Sequence, residues 1–234
     1  MVVCHVANLT PGELCSISVA SFVIYISLYS DGEIYLDTPF SRLLSKPPIM
    51  VAGMTPSTVK AGFVSAVLDA SYHIELAGGG HHNATALRSK VAEIQKRIPA
   101  GVGITLNSLY INPRQFTFQL PLWQEMRKES LLVEGFCVAA GILTTEKTIE
   151  IINGLKAAGI QHVAFKPGSI DGVRQVVNIA AANPDLPFIL QWTGLGGRAG
   201  GHHSLEDFHQ PILATYRIIR RVAGSGFCSL VVSW

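Results

Sequence analysis

From Pro48 onward the chain alternates short, wholly apolar β-branched runs with longer stretches in which apolar positions recur at helical spacing. The apolar runs predict strands at Ile49–Ala52, His73–Ala77, Gly101–Leu106, Glu134–Ala139, His162–Phe165, Phe188–Trp192 and Val222–Gly224. The periodic stretches predict helices at Thr58–Ala70, Ala84–Arg97, Gln115–Glu129, Thr145–Ala158, Ile170–Asn183 and Leu205–Arg220. Several helices end at a glycine or proline stop (AAGIQH, AANPDLP, RIPAGVG), the punctuation expected at a helix C-terminus. Continuously apolar strands separated by helices indicate βαβ units and a parallel sheet. An open doubly wound sheet and a (β/α)₈ barrel both fit that order. Glycine and polar residues crowd just after nearly every strand: GMTP, GGGHHN, NSLYINP, AGILTT, KPGS, TGLGGRAGGHHS and GSGF. A barrel gathers all those loops on one rim, whereas an open sheet concentrates ligand groups at one switch point. The expectation is therefore α/β: a (β/α)₈ TIM barrel, incomplete, with about seven of its strands present.

The first 47 residues stand outside this rhythm. EIYLDTPF reads as an edge strand or hairpin entering the barrel, and residues 1–31 have no counterpart in the repeat. The expected organisation is a segment over 1–31, an entry strand and linker over 32–47, a barrel over 48–227 and a divergent tail over 228–234. The apolar stretch Val19–Tyr29 is about half the ~20 residues of a membrane span and lacks a basic region before it.

Composition adds one constraint. Of 234 residues, 48% are hydrophobic and only 15% charged, against roughly 25% in an ordinary domain. Part of the surface is thus expected to be covered by a partner or by neighbouring parts of a longer chain. A net charge of +2, without a Lys/Arg cluster, argues against nucleic acid or an anionic membrane as partner. Cys4, Cys15, Cys137 and Cys228 are scattered, with no CxxC, which reads as reduced thiols in a cytoplasmic protein.

The rim motifs carry the candidate chemistry. GGRAGGHHS (196–204) follows a predicted strand and opens a helix, so its amides converge at a helix N-terminus suited to phosphate. His202 in that loop is a candidate acid or hydrogen-bond donor; the plainer alternative is a loop with two solvated histidines. The second Gly-rich turn, with Gly224, Ser225 and Gly226, matches the phosphate site found late in such barrels. In FKPGS, Lys166 is placed for a phosphate or the electron-rich edge of a flavin, with a rim salt bridge as the alternative, and Ser169 is placed to cap the next helix. The AGMTP turn is suited to lining a flat ring, or simply to capping a helix, and Asn107 offers a neutral hydrogen-bonding group. His81 and His82 are adjacent on a loop and expected to point apart, so no metal site is expected. GxSxG, Walker A, HExxH and a GxGxxG after the first strand are all missing. Phosphate cradles with one histidine and no paired carboxylates suit a bound cofactor that does the redox work.

Taken together, PPIMVAGMTPSTV, HIELAGGGHHNA, GITLNSLYINP, HVAFKPGSIDGV, LQWTG and GGRAGGHHSLEDFHQPIL resemble the enoyl reductase domain of the fungal type I fatty acid synthase β subunit, from about Ile34 to Phe227. The wider superfamily includes nitronate monooxygenases. The resemblance implies an FMN-binding barrel, NADPH as hydride donor and a trans-2-enoyl thioester on acyl carrier protein as substrate. Other synthase domains are implied as partners. FMN contacts then map onto Gly53, Met54, Thr55, Asn107, Lys166, Gly168, Ser169, Gly200 and Gly201, with the phosphate near the last two and Gly224, Ser225 and Gly226. His202 matches the family's AGGH histidine and would help protonate the α-carbon while the β-carbon accepts hydride. The chain departs from the pattern at QWTGLGGR, between Arg221 and GSGF, and after Phe227, where it ends CSLVVSW. Those departures lead to one alternative, a truncated fragment without catalysis; a second, from the wider superfamily, is a nitronate monooxygenase-like flavoprotein.

Overall fold

The computed structural model describes residues 2–4, 25–28, 34–193 and 229–232, with side chains from 38 to 193. Its elements run β1 (Val2–Cys4), β2 (Tyr25–Leu28), β3 (Ile34–Asp37), α1 (Pro39–Leu44), β4 (Met50–Val51), α2 (Ala61–Asp69), β5 (His73–Ala77) and α3 (Ala84–Gln95). They continue β6 (Ile104–Leu109), α4 (Pro113–Lys128), β7 (Val133–Ala139), α5 (Thr145–Ala157), β8 (His162–Phe165), α6 (Ile170–Ala181), β9 (Phe188–Trp192) and β10 (Ser229–Val232). The eight-stranded sheet has the order β1-β10-β9-β8-β7-β6-β5-β4. All its pairings from β4 to β10 are parallel, and β1 adds to β10 in the antiparallel sense. β2 and β3 form a separate antiparallel pair, so the first half of EIYLDTPF is a strand outside the main sheet, whereas its Pro39 and Phe40 begin α1.

The sheet curls into the greater part of a barrel. Glu75 on β5 and Gln191 on β9 lie four strands apart, about 19 Å on a flat sheet, yet their side chains are hydrogen-bonded. The alternation of side chains separates two cores. Outward-facing Ile74, Leu76, Ile104, Leu106, Phe136, Val138, Val163, Phe165 and Leu190 pack under the helices. Inward-facing Cys137, Ala164 and Ile189 meet Phe40 and Met50 in the lumen. Trp123 on α4, fully buried in the outer core, donates its indole N–H to the carbonyl of Gly135 at 2.8 Å, so its one polar atom is satisfied.

Phe40 closes the end of the lumen where the strands begin. Thr38 fixes it there: its Oγ1 accepts from the Ser41 amide at 3.0 Å and its own amide donates to Ser41 Oγ at 2.8 Å, a reciprocal cap on α1. Above Phe40 the rings of His73 and His162 stack edge to face, at centroid distances of 5.9 and 5.7 Å along the series. His162 reaches Thr105 Oγ1 at 3.2 Å across Gly135, which has room for the contact only because it lacks a side chain. A Cβ there would lie 2.1 Å from His162 Nε2.

Three predicted boundaries shift. β6 runs three residues past the predicted Leu106, because Asn107 and Leu109 continue the inward row and Ser108 is satisfied on the outer face by Gln119 at 2.7 Å. The helix predicted from Thr58 is broken at Lys60 (φ −88, ψ 120): residues 57–59 form a short 3₁₀ turn and α2 begins at Ala61. The strand predicted at Val222–Gly224 and the helix at Leu205–Arg220 lie outside the described residues. The position beside β9 is taken by Ser229–Val232, which the sequence reading assigned to the tail.

Both lumen histidines are neutral. Burial, then the neighbouring His162, pushes His73 well below its ordinary value, and burial holds His162 at about 4. Their Nδ1 atoms have no hydrogen-bond partner. An unfolded chain takes up protons at these groups below about pH 6.5, whereas the folded chain does not until about pH 4 for His162. Stability is therefore expected to fall by about 3 kcal/mol from His162 between pH 6.5 and 4. Urea unfolding over pH 7.5 to 4.5 measures that slope, and His162→Gln should reduce it, leaving the part due to His73.

Candidate functional site

The carboxyl ends of the strands converge on one buried carboxylate. Glu75, fully enclosed on β5, accepts from the Gly53 amide at 2.7 Å, from Asn107 Nδ2 at 2.8 Å and from the Lys166 ammonium at 2.6 Å, all at Oε2. Gln191 Nε2 donates to the other oxygen, Oε1. These four donors come from the turn after β4, from β6, from the residue following β8 and from β9. Burial by itself would raise Glu75, but the Lys166 charge and the hydrogen bonds from Lys166, Asn107 and Gly53 outweigh it and hold the carboxyl at about 2. Burial works against Lys166 too, and is again overcome by Glu75, so its ammonium is held above its ordinary value. Cys137 on β7 remains a thiol: burial, then the Glu75 charge, pushes it well above its usual range. Asn107 Nδ2 approaches its Sγ at 3.7 Å.

Of the residues singled out from the sequence, Gly53, Asn107 and Lys166 are thus brought together. Asn107 lies within β6 and is buried, rather than in the loop beyond it. Lys166 forms an ion pair, as its plainer alternative held, but the pair is enclosed in the lumen instead of lying on the rim. Gly53 allows the close approach: a Cβ there would lie 2.6 Å from Asn107 Cβ. Met54 and Thr55 follow on the exposed face of the turn, where the Met54 amide donates to Thr58 Oγ1 at 2.8 Å. Ser169 caps α6 as expected, accepting from the Gly172 amide at 3.1 Å, and Gly168 lies half-buried before it. Gly200, Gly201, His202, Gly224, Ser225 and Gly226 lie outside the described residues.

A second set of contacts fixes the loop after β5. Gln119 donates to the carbonyls of Gly78 at 2.8 Å and His81 at 3.1 Å, and Gln115 to that of Gly79 at 3.1 Å. His81 is buried, whereas His82 is exposed. Sequence reasoning missed Glu75, Gln191 and these two glutamines. The available signal was a carboxylate at the centre of HIELA and an amide in FILQW, polar groups that alternation places on the inner face of otherwise apolar strands.

Comparison with known proteins yields a consistent set of relatives. A family model described as "Fatty acid synthase subunit beta/Fas1-like, helical" matches residues 187–231. "Fatty acid synthase 2" of Mycosarcoma maydis is 58% identical over 209 residues, covering 87% of this chain and 6% of that protein. "Fatty acid synthase beta subunit aflB" of Emericella nidulans is 51% identical over 201 residues, 83% of this chain and 9% of that protein. "Fatty acid synthase subunit beta" of Schizosaccharomyces pombe is 46% identical over 216 residues, 87% and 10% respectively. The chain therefore spans a tenth or less of the length of these relatives. Among solved structures, a mutant tryptophan synthase alpha-subunit from Pyrococcus furiosus superposes with a TM-score of 0.48 at 15% identity, covering 79% of this chain and 76% of that one.

The geometry predicts that Gly53→Ala destabilises the chain by about 1–3 kcal/mol, because the added methyl group must displace either the Asn107 side chain or the turn. Urea unfolding at pH 7 checks the loss.

Proposed function

We propose, for a chain that is homologous over most of its length to a segment of fungal fatty acid synthase beta subunits, that it serves fatty acid synthesis as the enoyl-reducing part of such a synthase. In this reading it binds FMN, uses NADPH, and reduces a trans-2-enoyl thioester presented on acyl carrier protein by the rest of the assembly. One observation carries it: three residues matched to flavin contacts, on three separate strands or their ends, meet at a single carboxylate.

The donor set suits a flavin's polar edge. Lys166 supplies a cation, Asn107 an amide and Gly53 a backbone that approaches closely, while Met54 and Thr55 lie on the exposed face of the same turn. When bound, FMN supplies the hydride-carrying chemistry that no side chain possesses. The chain's own residues do the rest. Lys166, its charge balanced by Glu75, would be the cation available to the electron-rich edge, so the site would present polarity without a large net field. The lumen below is filled by Phe40, Cys137, Ala164 and Ile189, which keeps water away from the reacting end. The Gly-rich segment with Gly200, Gly201, Gly224, Ser225 and Gly226 is assigned to the phosphate. His202 is assigned the proton delivered to the α-carbon of the substrate.

The visible spectrum of the purified chain with FMN tests cofactor binding: flavin bands that co-elute with protein are expected, and a colourless chain overturns the reading. With crotonyl thioester and NADPH, His202→Ala should lower turnover by about 10²–10⁴-fold while flavin stays bound. Unchanged turnover removes His202 from the mechanism, and turnover of a nitroalkane in place of the thioester removes the substrate assignment.

A further inference from the structure

We infer that Glu75 is a positioning residue: by gripping the Lys166 ammonium, the Asn107 amide and the Gly53 peptide at once, it sets the direction and the charge of the groups offered to a cofactor's ring edge. The identity of that cofactor rests on the flavin reading above; the positioning itself rests on geometry. Glu75 is completely enclosed, so it acts through the residues it holds. Each of the three donors sends a short contact, at 2.6, 2.7 or 2.8 Å, to the same oxygen. A lysine at the end of a barrel strand would otherwise extend its long, flexible stem toward water. Here the side chain is only 9% exposed, drawn inward onto Glu75. The second carboxylate oxygen is taken by Gln191, whose own Oε1 is buried without a partner, an acceptor left over beside the array.

Glu75 also decides how much charge the site shows. With the carboxylate present, Lys166 belongs to a neutral pair. Without it, an ammonium stands uncompensated in a dry lumen and sheds its proton far more readily. The other titratable groups that face this pair are Cys137 on β7, His73 on β5 and His162 on β8, with Lys46 contributing to the histidines from the α1–β4 connection.

The experiment uses the full 234-residue chain and four forms: wild type, Glu75→Gln, Lys166→Met and the double variant. In the absence of flavin, the ¹³Cε resonance of Lys166 is titrated. Its midpoint should lie above the ordinary lysine value in wild type and fall by about two units or more in Glu75→Gln. With FMN, wild-type affinity should be flat from pH 7.5 to 9. Affinity of Glu75→Gln should be at least about tenfold weaker and should decline further as pH rises and Lys166 loses its proton. The double variant, with both charges gone, should recover much of the melting temperature lost by Glu75→Gln but none of the FMN affinity, and its binding should lose the pH dependence. That pattern separates positioning from simple structural support, which would restore affinity together with stability. An unmoved Lys166 titration, or wild-type FMN affinity with a flat profile in Glu75→Gln, overturns the inference. A wild-type chain that binds no FMN overturns the flavin reading alone, and the Lys166 titration still decides the positioning.

Discussion

Glu75 carries a full negative charge where water cannot reach it, and the strands around it are arranged so that the charge is never alone. An ionised carboxylate in a medium of low polarity is tolerated only with a counter-charge and saturated lone pairs. Glu75 has both: the Lys166 ammonium, two side-chain amides and a backbone N–H. Those partners sit on β6, on β9, after β4 and after β8, so the requirement cannot be met on a flat sheet. Curling of the sheet and ionisation of Glu75 are one constraint seen from two sides.

Volume imposes a matching constraint. Inside the curled sheet, among the described residues, two of the polar contacts need a neighbouring residue that has no side chain. Gly135 gives way to the His162–Thr105 contact, and Gly53 to Asn107. In both cases the glycine sits beside the polar pair, so a methyl group there costs the packing and the hydrogen bond together. The outer face has no such restriction, and there ordinary branched residues pack against the helices.

The periodic parts of the chain were legible. β5, β8 and β9 occupy the predicted residues, and α5 and α6 the predicted stretches to within two residues, because a buried parallel strand and an amphipathic helix leave unmistakable patterns. Ser169 as a helix cap followed from its place after KPG. Glu75 and Gln191 were hidden by the same pattern: HIELA and FILQW read as apolar throughout, whereas these two residues lie on the inner face of their strands. Asn107 was assigned to a loop because polar residues follow GITL. The extension of β6 depends on Glu75 and Gln119, which lie 32 residues before Asn107 and 11 after Ser108, and local reading has no access to such partners. The pairing of Ser229–Val232 with β9 is equally non-local.

The two layers of the lumen solve the problem of buried polarity in opposite ways, and the contrast bears on function. Near Phe40, where the strands begin, His73 and His162 are kept neutral by burial, and Thr105 takes the one hydrogen bond available. At the other end a complete ion pair is retained. Stability does not account for that choice, because well-packed apolar residues of similar volume generally do as well as a buried pair or better. Nor does filling space, since Cys137, Ala164 and Ile189 line the same lumen without charge. What an ion pair supplies and an apolar filling does not is a cation in a fixed direction whose field is locally balanced. The pair stands at the carboxyl ends of the strands, held there by the backbone of the turn after β4 and by Lys166 at the end of β8.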